Sequence, residues 1–438
     1  MQRKRRSIRL LLCAVLVAMP LEALAEEQAG QSTNDGLSYN VRALLYGEAQ
    51  DPAHSSQNPD NAFLNLYRYS GTLELRPDLF YDSTVMSAVF KPRFTSSQIR
   101  WEDGAAKDDR DTLTEASVNE WRVQVKPHAV LFISFGKEKL LWGPSFLTSP
   151  SNILFKDTEK INPIAEVEGR YLARLMYLPN AALTLNAISE TQRDADGSQA
   201  NANPIRALKA DWVGATASIS LIGYVQQEDR FRLGSYGQWT ASDALLLYYD
   251  GIVFRGSDAL YPSPDLGNPL GGTLVPRYDG SDRLFATVDV GGAYTFLSGS
   301  TFSLEFLYNG QGYDDADAAE YYRLRDRAAA HFFDGGLMSA LSTRTLSLTL
   351  NAGMPFLRRY YLMGQYQLRE IKNVLDIIVR YTYSIEEHAG VASTIIEWRL
   401  SDRVQFFNIN MLSSDRGKQT EFNAILNKSF MAGIEVHF

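Results

Sequence analysis

The chain has 438 residues, a net charge of −8, a single cysteine and 45% hydrophobic residues. A membrane-spanning helix needs about 20 consecutive apolar residues, and only the N-terminal segment approaches this, so a helical membrane protein is excluded. The 23 tyrosines, 22 phenylalanines and 6 tryptophans exclude extended disorder, because a disordered chain cannot bury so much apolar surface. Two classes remain: a soluble protein of two or three domains, and a transmembrane β-barrel.

The N-terminus has the three parts of a secretory signal peptide. Basic residues in the first nine positions precede an apolar run over residues 10–18, and a small-x-small cleavage site ends at Ala25. We therefore expect residues 1–25 to be removed during export, the alternative being an uncleaved anchor helix. Cys13 lies within this segment, so the mature chain would be exported without a cysteine and without a disulfide.

From residue 38 to the end, apolar and polar residues alternate in segments separated by turns or polar loops. This period of two places one set of side chains on each face of a β-strand. A soluble β-sandwich would also alternate, so the pattern alone does not separate the two classes. Residues 301–311 show it most clearly, with Phe302, Leu304, Phe306 and Tyr308 on one face, Thr301, Ser303, Glu305 and Asn309 on the other, and Leu307 as the apolar exception.

Three further features favour a transmembrane barrel. Short turns alternate with long loops, as in outer-membrane barrels, where the turns lie in the periplasm. The chain ends in an alternating segment closed by Phe438, which resembles the signal read by the barrel assembly machinery of Gram-negative bacteria. Aromatic residues lie near the strand ends, as expected of the belts at the two membrane interfaces: Tyr39, Tyr69, Trp121, Trp212, Trp239 and Trp398.

The alternation predicts an all-β fold, an antiparallel transmembrane barrel of about 18 strands over residues 38–438, preceded by a short periplasmic segment over residues 26–37. Single-chain bacterial barrels have an even number of strands, so residues 343–352, which also alternate, are assigned to a loop. Sixteen strands is the alternative if residues 229–255 pair differently. The predicted strands are 38–49, 63–76, 84–94, 113–125, 128–137, 168–178, 181–190, 205–213, 215–226, 229–240, 243–255, 283–296, 301–311, 358–369, 373–385, 390–400, 404–413 and 427–438.

Three long loops are predicted, over residues 138–167, 256–282 and 312–357, the last with a helical stretch near residues 317–333. The first is too rich in Gly, Pro and Trp to continue a strand. It is predicted to fold into the pore as a constriction, where Lys137 and Lys139 would contact an anionic solute and Trp142 would stack on a sugar ring. The alternative is that Trp142 packs the loop against the barrel rim.

The polar faces of the strands would line a lumen wide enough for an aqueous channel. The first six strands contribute mainly basic residues and the later strands mainly acidic ones, so the field across the lumen would favour anions along the basic wall. The alternative is that arginines and glutamates pair into ladders that only rigidify the wall. The predicted basic residues are Arg42, Arg68, Lys91, Arg93, Arg122, Arg170 and Arg174, and the acidic ones are Asp289, Glu305, Asp376 and Glu397.

Sites for catalysis and metal binding are not predicted. The five histidines lack zinc-ligand spacing, and the serine-hydrolase elbow motif is missing. His388 with Ser384 or Ser393 is the one pair that would suit a hydrolase at the barrel rim. The acidic residues from Asp314 to Glu320 lack the ligand order of a calcium loop. We expect no enzyme activity, no cofactor and, at this charge, no nucleic-acid partner.

With its strands, aromatic belts and terminal Phe438, the chain resembles a Gram-negative outer-membrane porin. Its size, its 18 strands, its long loop after residue 312 and its arginine-rich wall are similar to the alginate-export family of channels. In that family an electropositive lumen conducts a polyuronate. The resemblance implies a channel for passive passage or export of an anionic or sugar-based solute, an exopolysaccharide included, although the acidic wall departs from a uniformly positive pore.

A second hypothesis comes from a different class: a surface assembly or adhesion barrel that binds polysaccharide through its loops without conduction. In either case we expect the protein in the bacterial outer membrane. Its expected partners are outer-membrane lipid, the assembly machinery through Phe438, and an anionic or sugar solute.

Overall fold

The computed structural model describes residues 36–155, 159–160, 162–191, 204–226, 230–257, 259–276, 283–414 and 419–438. The predicted signal peptide, and nearly all of the predicted periplasmic segment, lie outside the described residues.

Eighteen antiparallel strands form one closed barrel, in which each strand pairs with its neighbours in the chain. The barrel closes because β1 pairs with both β2 and the last strand, β20. The prediction of an 18-stranded antiparallel barrel is therefore confirmed. The barrel strands are β1 (Gly36–Pro52), β2 (Tyr69–Asp82), β3 (Met86–Arg100), β4 (Arg110–His128), β5 (Leu131–Glu138), β6 (Arg170–Asn180), β7 (Leu183–Glu190), β8 (Arg206–Val213), β9 (Ala217–Gln226), β10 (Arg230–Thr240), β11 (Leu245–Arg255), β14 (Leu284–Thr295), β15 (Thr301–Asn309), β16 (Tyr360–Ile371), β17 (Leu375–Ser384), β18 (Ala389–Arg399), β19 (Val404–Ser413) and β20 (Leu426–His437).

The connections differ sharply between the two ends of the barrel. One end carries both chain ends of the barrel and turns of two to five residues, such as 83–85, 129–130 and 296–300, whereas the other carries the long loops 139–169, 256–283 and 310–359. Short turns are periplasmic in barrels of this type, so the loops are extracellular. The predicted loop bounds differ from these by at most three residues.

The outer face of the barrel is apolar. Leu208 is 69% exposed and Leu45 is 55% exposed, and the predicted belt residues Trp212 and Trp398 also face outward. A continuous belt of exposed apolar side chains is covered by lipid in transmembrane barrels. Phe438 lies on this face, and its backbone N–H donates to the Val41 carbonyl of β1.

The prediction for β2 was wrong at its start. Residues 63–68 belong to a loop whose backbone is bonded by asparagine side chains rather than by a neighbouring strand: the Asn58 amide oxygen accepts from the Leu64 N–H, and Asn61 bonds the Leu66 N–H and carbonyl. The strand instead continues through Pro77. A proline has no N–H for a ladder, and pairing with β3 is interrupted at this point.

The extracellular loop after β15 contains two helices, α1 (Asp315–Ala330) and α2 (Gly336–Leu350), which agree with the predicted helical stretch and with the assignment of residues 343–352 to a loop. Asp314 caps α1 by accepting from the Asp317 N–H. Neither helix is long and apolar enough to span a membrane, nor is any other helix in the described ranges. A short hairpin, β12 (Leu260–Pro264) with β13 (Gly272–Pro276), was not predicted.

Candidate functional site in the barrel lumen

The loop over residues 139–169, which we call the inner loop, lies inside the barrel in its described parts, 139–155, 159–160 and 162–169. Its Phe146 and Leu147 backbone N–H groups donate to the Glu305 carboxylate at 2.6 and 2.7 Å, and the Tyr248 hydroxyl donates to the same carboxylate at 2.8 Å. Glu305 is buried on the inner face of β15, which lies on the opposite side of the barrel from β5 and β6. The inner loop therefore crosses the lumen and is held by a carboxylate on the far wall.

A second carboxylate holds the next turn of the inner loop. Asp250 on β11 accepts from the Ser149 hydroxyl at 2.6 Å and from the Ser151 N–H at 2.7 Å. Gly143 passes against this pair with φ of +95°, and a Cβ at this position would lie 2.0 Å from Asp250 Oδ2 and 2.2 Å from Ser149 Oγ. Only glycine fits such a close approach at positive φ without strain.

The inner loop also packs on the wall through apolar contacts. Leu154 and Phe155 join a buried cluster with inward-facing residues of six strands, among them Leu172, Ile222 and Ile252. Trp142 packs against the same cluster, and the Lys209 ammonium lies 5.5 Å from the centre of its ring. Part of the inner barrel wall is therefore a hydrophobic core rather than a wetted lining, and the inner loop covers it.

Lys160 closes the inner loop on itself. Its ammonium donates to the carbonyls of Gly143, Pro144 and Ser145 and lies 5.4 Å from the centre of the Phe146 ring. Burial lowers the pKa of Lys160, an effect that the carboxylates of the acidic wall oppose. Three carbonyl acceptors and a nearby aromatic face replace much of its lost hydration, so the lysine acts as an internal clamp.

The end of the inner loop is fastened to the wall of β1–β3. Glu166 pairs with Arg93 at 2.6 Å, with Arg42 at 3.0 Å and with Arg76 at 3.6 Å. Arg76 also donates to the Ile164 carbonyl at 2.7 Å. Burial by itself raises the pKa of Glu166, but the hydrogen bond from Arg93 and the charges of the three arginines outweigh it and lower the pKa to about 2. Glu166 is therefore ionised at any physiological pH.

The low pKa of Glu166 predicts how the folding stability of the barrel depends on pH. A carboxylate with a lowered pKa stabilises the folded state above its ordinary pKa near 4.5, and this contribution is lost as the pH falls through about 2. We expect Glu166→Gln to lower stability by on the order of 3 kcal/mol from pH 7 to pH 5, and the deficit to shrink toward pH 2. Heat-induced unfolding of the refolded barrel, followed by gel mobility, measures it.

Glu102→Gln is the matched control for this prediction, because Glu102 contacts Arg68 at 3.9 Å on the exposed rim. An exposed pair of this kind contributes at most about 1 kcal/mol. A deficit in the Glu166 variant that disappears already between pH 5 and pH 4 would contradict the assignment.

The predicted basic residues lie largely in ion pairs. Arg68 is not on a strand but in the loop before β2, at the extracellular rim. Ion pairs of this kind are what the alternative prediction described, in which arginines and glutamates pair into ladders that rigidify the wall. Six of the seven contact carboxylates: Arg42 with Glu166 and Glu435, Arg68 with Asp51, Lys91 with Glu120, Arg93 with Asp78 and Glu166, Arg170 with Glu190, and Arg174 with Glu138.

Arg122 is the exception. It points inward from β4 and makes no hydrogen bond or ion pair with any residue that the structure describes, and its buried Nε has no acceptor. Its partner in the ladder is Gly136, which has φ of +153°, and a Cβ at Gly136 would lie 2.1 Å from the Trp121 carbonyl oxygen of β4. Arg174 lies one row further along the wall, where its Nε donates to Ser134 at 3.4 Å. Arg122 is thus a half-buried, uncompensated cation.

The three predicted constriction residues have different surroundings. Lys139 pairs with Glu159 at 2.7 Å and lies 4.0 Å from Glu120. Lys137 pairs with Glu168 and donates to the Val118 carbonyl. Trp142 packs against the buried cluster on the barrel wall. This agrees with the alternative prediction, in which Trp142 packs the loop on the barrel instead of stacking on a sugar ring.

The predicted acidic residues are also divided in their roles. Glu305 holds the inner loop, and Asp376 accepts from the Glu370 N–H at 2.6 Å at the periplasmic end of β17. Glu397 faces the lumen on β18, beside Asp376 in the ladder. Asp289 is fully buried next to Asp250 in the ladder, and neither of its carboxylate oxygens has a hydrogen-bond partner among the described residues.

The described residues of three extracellular loops, 256–283, 310–359 and 385–388, form a packed layer, which we call the cap. Tyr321 of α1 packs on the β12–β13 hairpin, and Leu346 of α2 packs on Leu270 of the same loop. The Tyr322 hydroxyl bonds Glu387 in the loop 385–388. Within the described ranges, no group of His, Cys, Asp or Glu is arranged to hold a metal ion.

The proposed hydrolase pair is not assembled. The His388 ring contacts the Tyr383 hydroxyl at 3.2 Å, whereas Ser384 is fully buried and accepts from the Glu387 N–H. Neither Ser384 nor Ser393 bonds the histidine within the part of the chain that the structure describes.

Comparison with solved structures identifies the fold. Three proteins of Pseudomonas aeruginosa match over almost their whole length. OccK11 (OpdR) shares 9% identity with a TM-score of 0.53, covering 92% of this chain and 98% of that one. OccK7 (OpdD) shares 12% with a TM-score of 0.51, covering 93% and 99%, and OccK5 (OpdH) shares 10% with a TM-score of 0.51, covering 92% and 98%. The fold is that of an outer-membrane porin.

A barrel of this fold, with its lipid-facing belt, is a protein of the bacterial outer membrane, as predicted. No protein-family model and no curated protein matches the chain. The comparisons do not show the alginate-export family.

Two residues of the lumen were not predicted, Lys160 and Glu166. Both lie in the inner loop, and their partners are wall residues or carbonyls that only the folded loop brings close. The sequence indicated these two residues only indirectly, because they lie in a long charged loop between strands whose inner faces are also charged.

Proposed function

We propose that this protein is an outer-membrane channel that passes an anionic or sugar-based solute along the wall formed by β4, β5 and β6. The observation that carries the proposal is Arg122, an inward-facing guanidinium without a counter-charge among the described residues. An arginine of this kind attracts carboxylates and phosphates and donates to sugar hydroxyls. The paired charges around it add hydrogen-bonding groups but little net field.

The inner loop supplies selectivity by size in this proposal. Its contacts with β11, β15 and β17 and with the wall of β1–β3 keep it against the barrel, where it narrows the lumen. A slender solute, such as a single extended strand of an acidic polysaccharide or a small sugar acid, suits a channel narrowed in this way. A more specific form of the proposal is that the channel exports an exopolysaccharide.

Arg122→Gln tests the proposal directly. A unit charge about 8 Å from a permeating ion lowers the energy of an anion and raises that of a cation by roughly 0.5 kcal/mol each in water. Removing it should therefore lower the anion-to-cation permeability ratio about five-fold. The measurement is the reversal potential of single channels in planar bilayers under a salt gradient. Arg323→Gln, on the exposed face of α1, is the matched control and should leave the ratio unchanged.

Cation preference in the wild-type channel, or an Arg122 variant that behaves as wild type, would overturn the proposed selectivity. The second candidate function, glycan binding at the surface without conduction, is favoured by the cap, which has its own buried clusters. Binding of cell-surface polysaccharide by a barrel that shows no conductance would support it instead.

A further inference from the structure

A groove of about 630 Å³ lies on the lipid-facing wall of β5–β10. Its floor is made of the small outward-facing residues Ala173, Ala187 and Gly223. Leu208 lies between Ala187 and Gly223 in the same row of the sheet. The Phe231 ring leans over Gly223, 3.6 Å from where a Cβ would stand. The result is an apolar groove rather than a smooth wall.

Among the described residues that line the groove, Arg206 is the cation at its extracellular end. Arg206 is the first residue of β8, is exposed, and lines the groove beside Val225 of β9. It has no ion pair or hydrogen bond with another residue in the described part of the chain. Trp212 lies on the same face, six residues closer to the periplasmic turn, so Arg206 is at the end of the strand that faces the outer leaflet.

A lipid-facing arginine is costly unless an anion meets it, and the cost falls toward the interface. Guanidinium groups bind phosphate with two parallel hydrogen bonds. The occupant that suits both features is a lipid with a phosphate on its headgroup and an acyl chain that fills the groove below. In the outer leaflet of this membrane, the lipid with that chemistry is a phosphorylated, multiply acylated glycolipid.

We propose that the groove is a binding site for lipid A, with one acyl chain on the floor of Ala173, Ala187 and Gly223 and a phosphate on Arg206. The charge complementarity of Arg206 and the position of the groove toward the outer leaflet favour this lipid over a phospholipid of the inner leaflet. The site lies on the outside of the barrel and is separate from the proposed conduction pathway.

The test uses the full mature barrel, refolded in detergent without lipopolysaccharide and incubated with diphosphoryl lipid A. Native mass spectrometry counts the lipids that each barrel retains. We expect one retained lipid A in the wild type. Ala187→Leu fills the groove, and Arg206→Gln removes the phosphate contact; each should weaken retention about ten-fold. Lipid A without phosphates should bind the wild type as weakly as the phosphorylated form binds Arg206→Gln.

Ala286→Leu is the control, because Ala286 faces outward on β14 and is outside the groove. It should retain lipid A as the wild type does, and gel mobility confirms that each variant is folded. Equal retention by all variants, or no retention by the wild type, would overturn the proposal. Equal retention of phosphatidylglycerol and lipid A would overturn it too, since the site would then recognise any anionic lipid.

Discussion

Replacing Glu305 with glutamine is expected to release the inner loop and to raise single-channel conductance, with added current noise. Glu305 is fully buried and accepts from the Phe146 and Leu147 N–H groups and from the Tyr248 hydroxyl. A hydrogen bond to a charged group contributes about 1.5–3 kcal/mol. Glutamine has one acceptor oxygen and presents an NH₂ donor to the remaining donors, so the anchor should weaken by at least one such bond.

Two measurements check this result. Planar-bilayer recordings report conductance, and thiol labelling of a Ser145→Cys background reports loop release, because Ser145 is fully buried beneath the clamp of Lys160. Cys13 is the chain's single cysteine and lies in the predicted signal peptide, so an introduced cysteine would be the sole thiol of the mature barrel.

Glu397→Gln is the matched control, since Glu397 also faces the lumen but makes no contact with the inner loop among the described residues. The same conductance and the same labelling rate in the Glu305 variant and this control would show that the inner loop does not depend on Glu305.

Gly143→Ala should displace the same loop by a steric route. A Cβ at this position would lie 2.0 Å from Asp250 Oδ2 and 2.2 Å from Ser149 Oγ, and these two atoms are partners in the hydrogen bond that holds the loop. Relieving the contact therefore breaks the anchor, and the positive φ adds strain of roughly 1–2 kcal/mol. We expect a loss of about 2–3 kcal/mol in loop anchoring, seen as faster labelling of Ser145→Cys and noisier channels.

Gly299→Ala separates the effect of the steric contact from the effect of backbone strain. Gly299 has a similar φ of +82°, but the space around its missing Cβ is open, and it lies in a periplasmic turn. This variant should lower the thermal stability of the barrel through backbone strain. It should leave the labelling rate of Ser145→Cys and the channel current unchanged. If both glycine variants labelled Ser145→Cys at the wild-type rate, the close approach of Gly143 would have no part in positioning the loop.

Both predictions concern the same physical point: the carboxylates of the acidic wall hold the inner loop in place, so they do not set the charge selectivity of the lumen. Asp250 and Glu305 accept backbone and hydroxyl hydrogens from the inner loop, so their charge is used locally. The channel's selectivity then depends on groups without partners, of which Arg122 is the clearest. Counting charges along a wall would miss this distinction.

The strand pattern was predictable because it depends on local chemistry. Residues 301–311 alternate so regularly that the predicted strand and β15 (Thr301–Asn309) differ by two residues at one end. Parity excluded residues 343–352 as a strand, and they lie mostly in α2, where Ser342, Thr345, Leu346 and Thr349 are buried at helical spacing. The predicted strand 63–76 ends before Pro77, whereas β2 continues through this proline, which is tolerated because pairing with β3 is interrupted there.

The sequence by itself determined the number, order and facing of the strands, because a period of two is a property of each strand and an even strand number is a property of the closed sheet. It did not determine what the inner faces touch. Leu172 and Ile222 point inward and are covered by the inner loop, and Glu166 pairs with three arginines on β1, β2 and β3. Such contacts join residues far apart in the chain, so only the closed barrel, which brings opposite walls within reach of one loop, decides them.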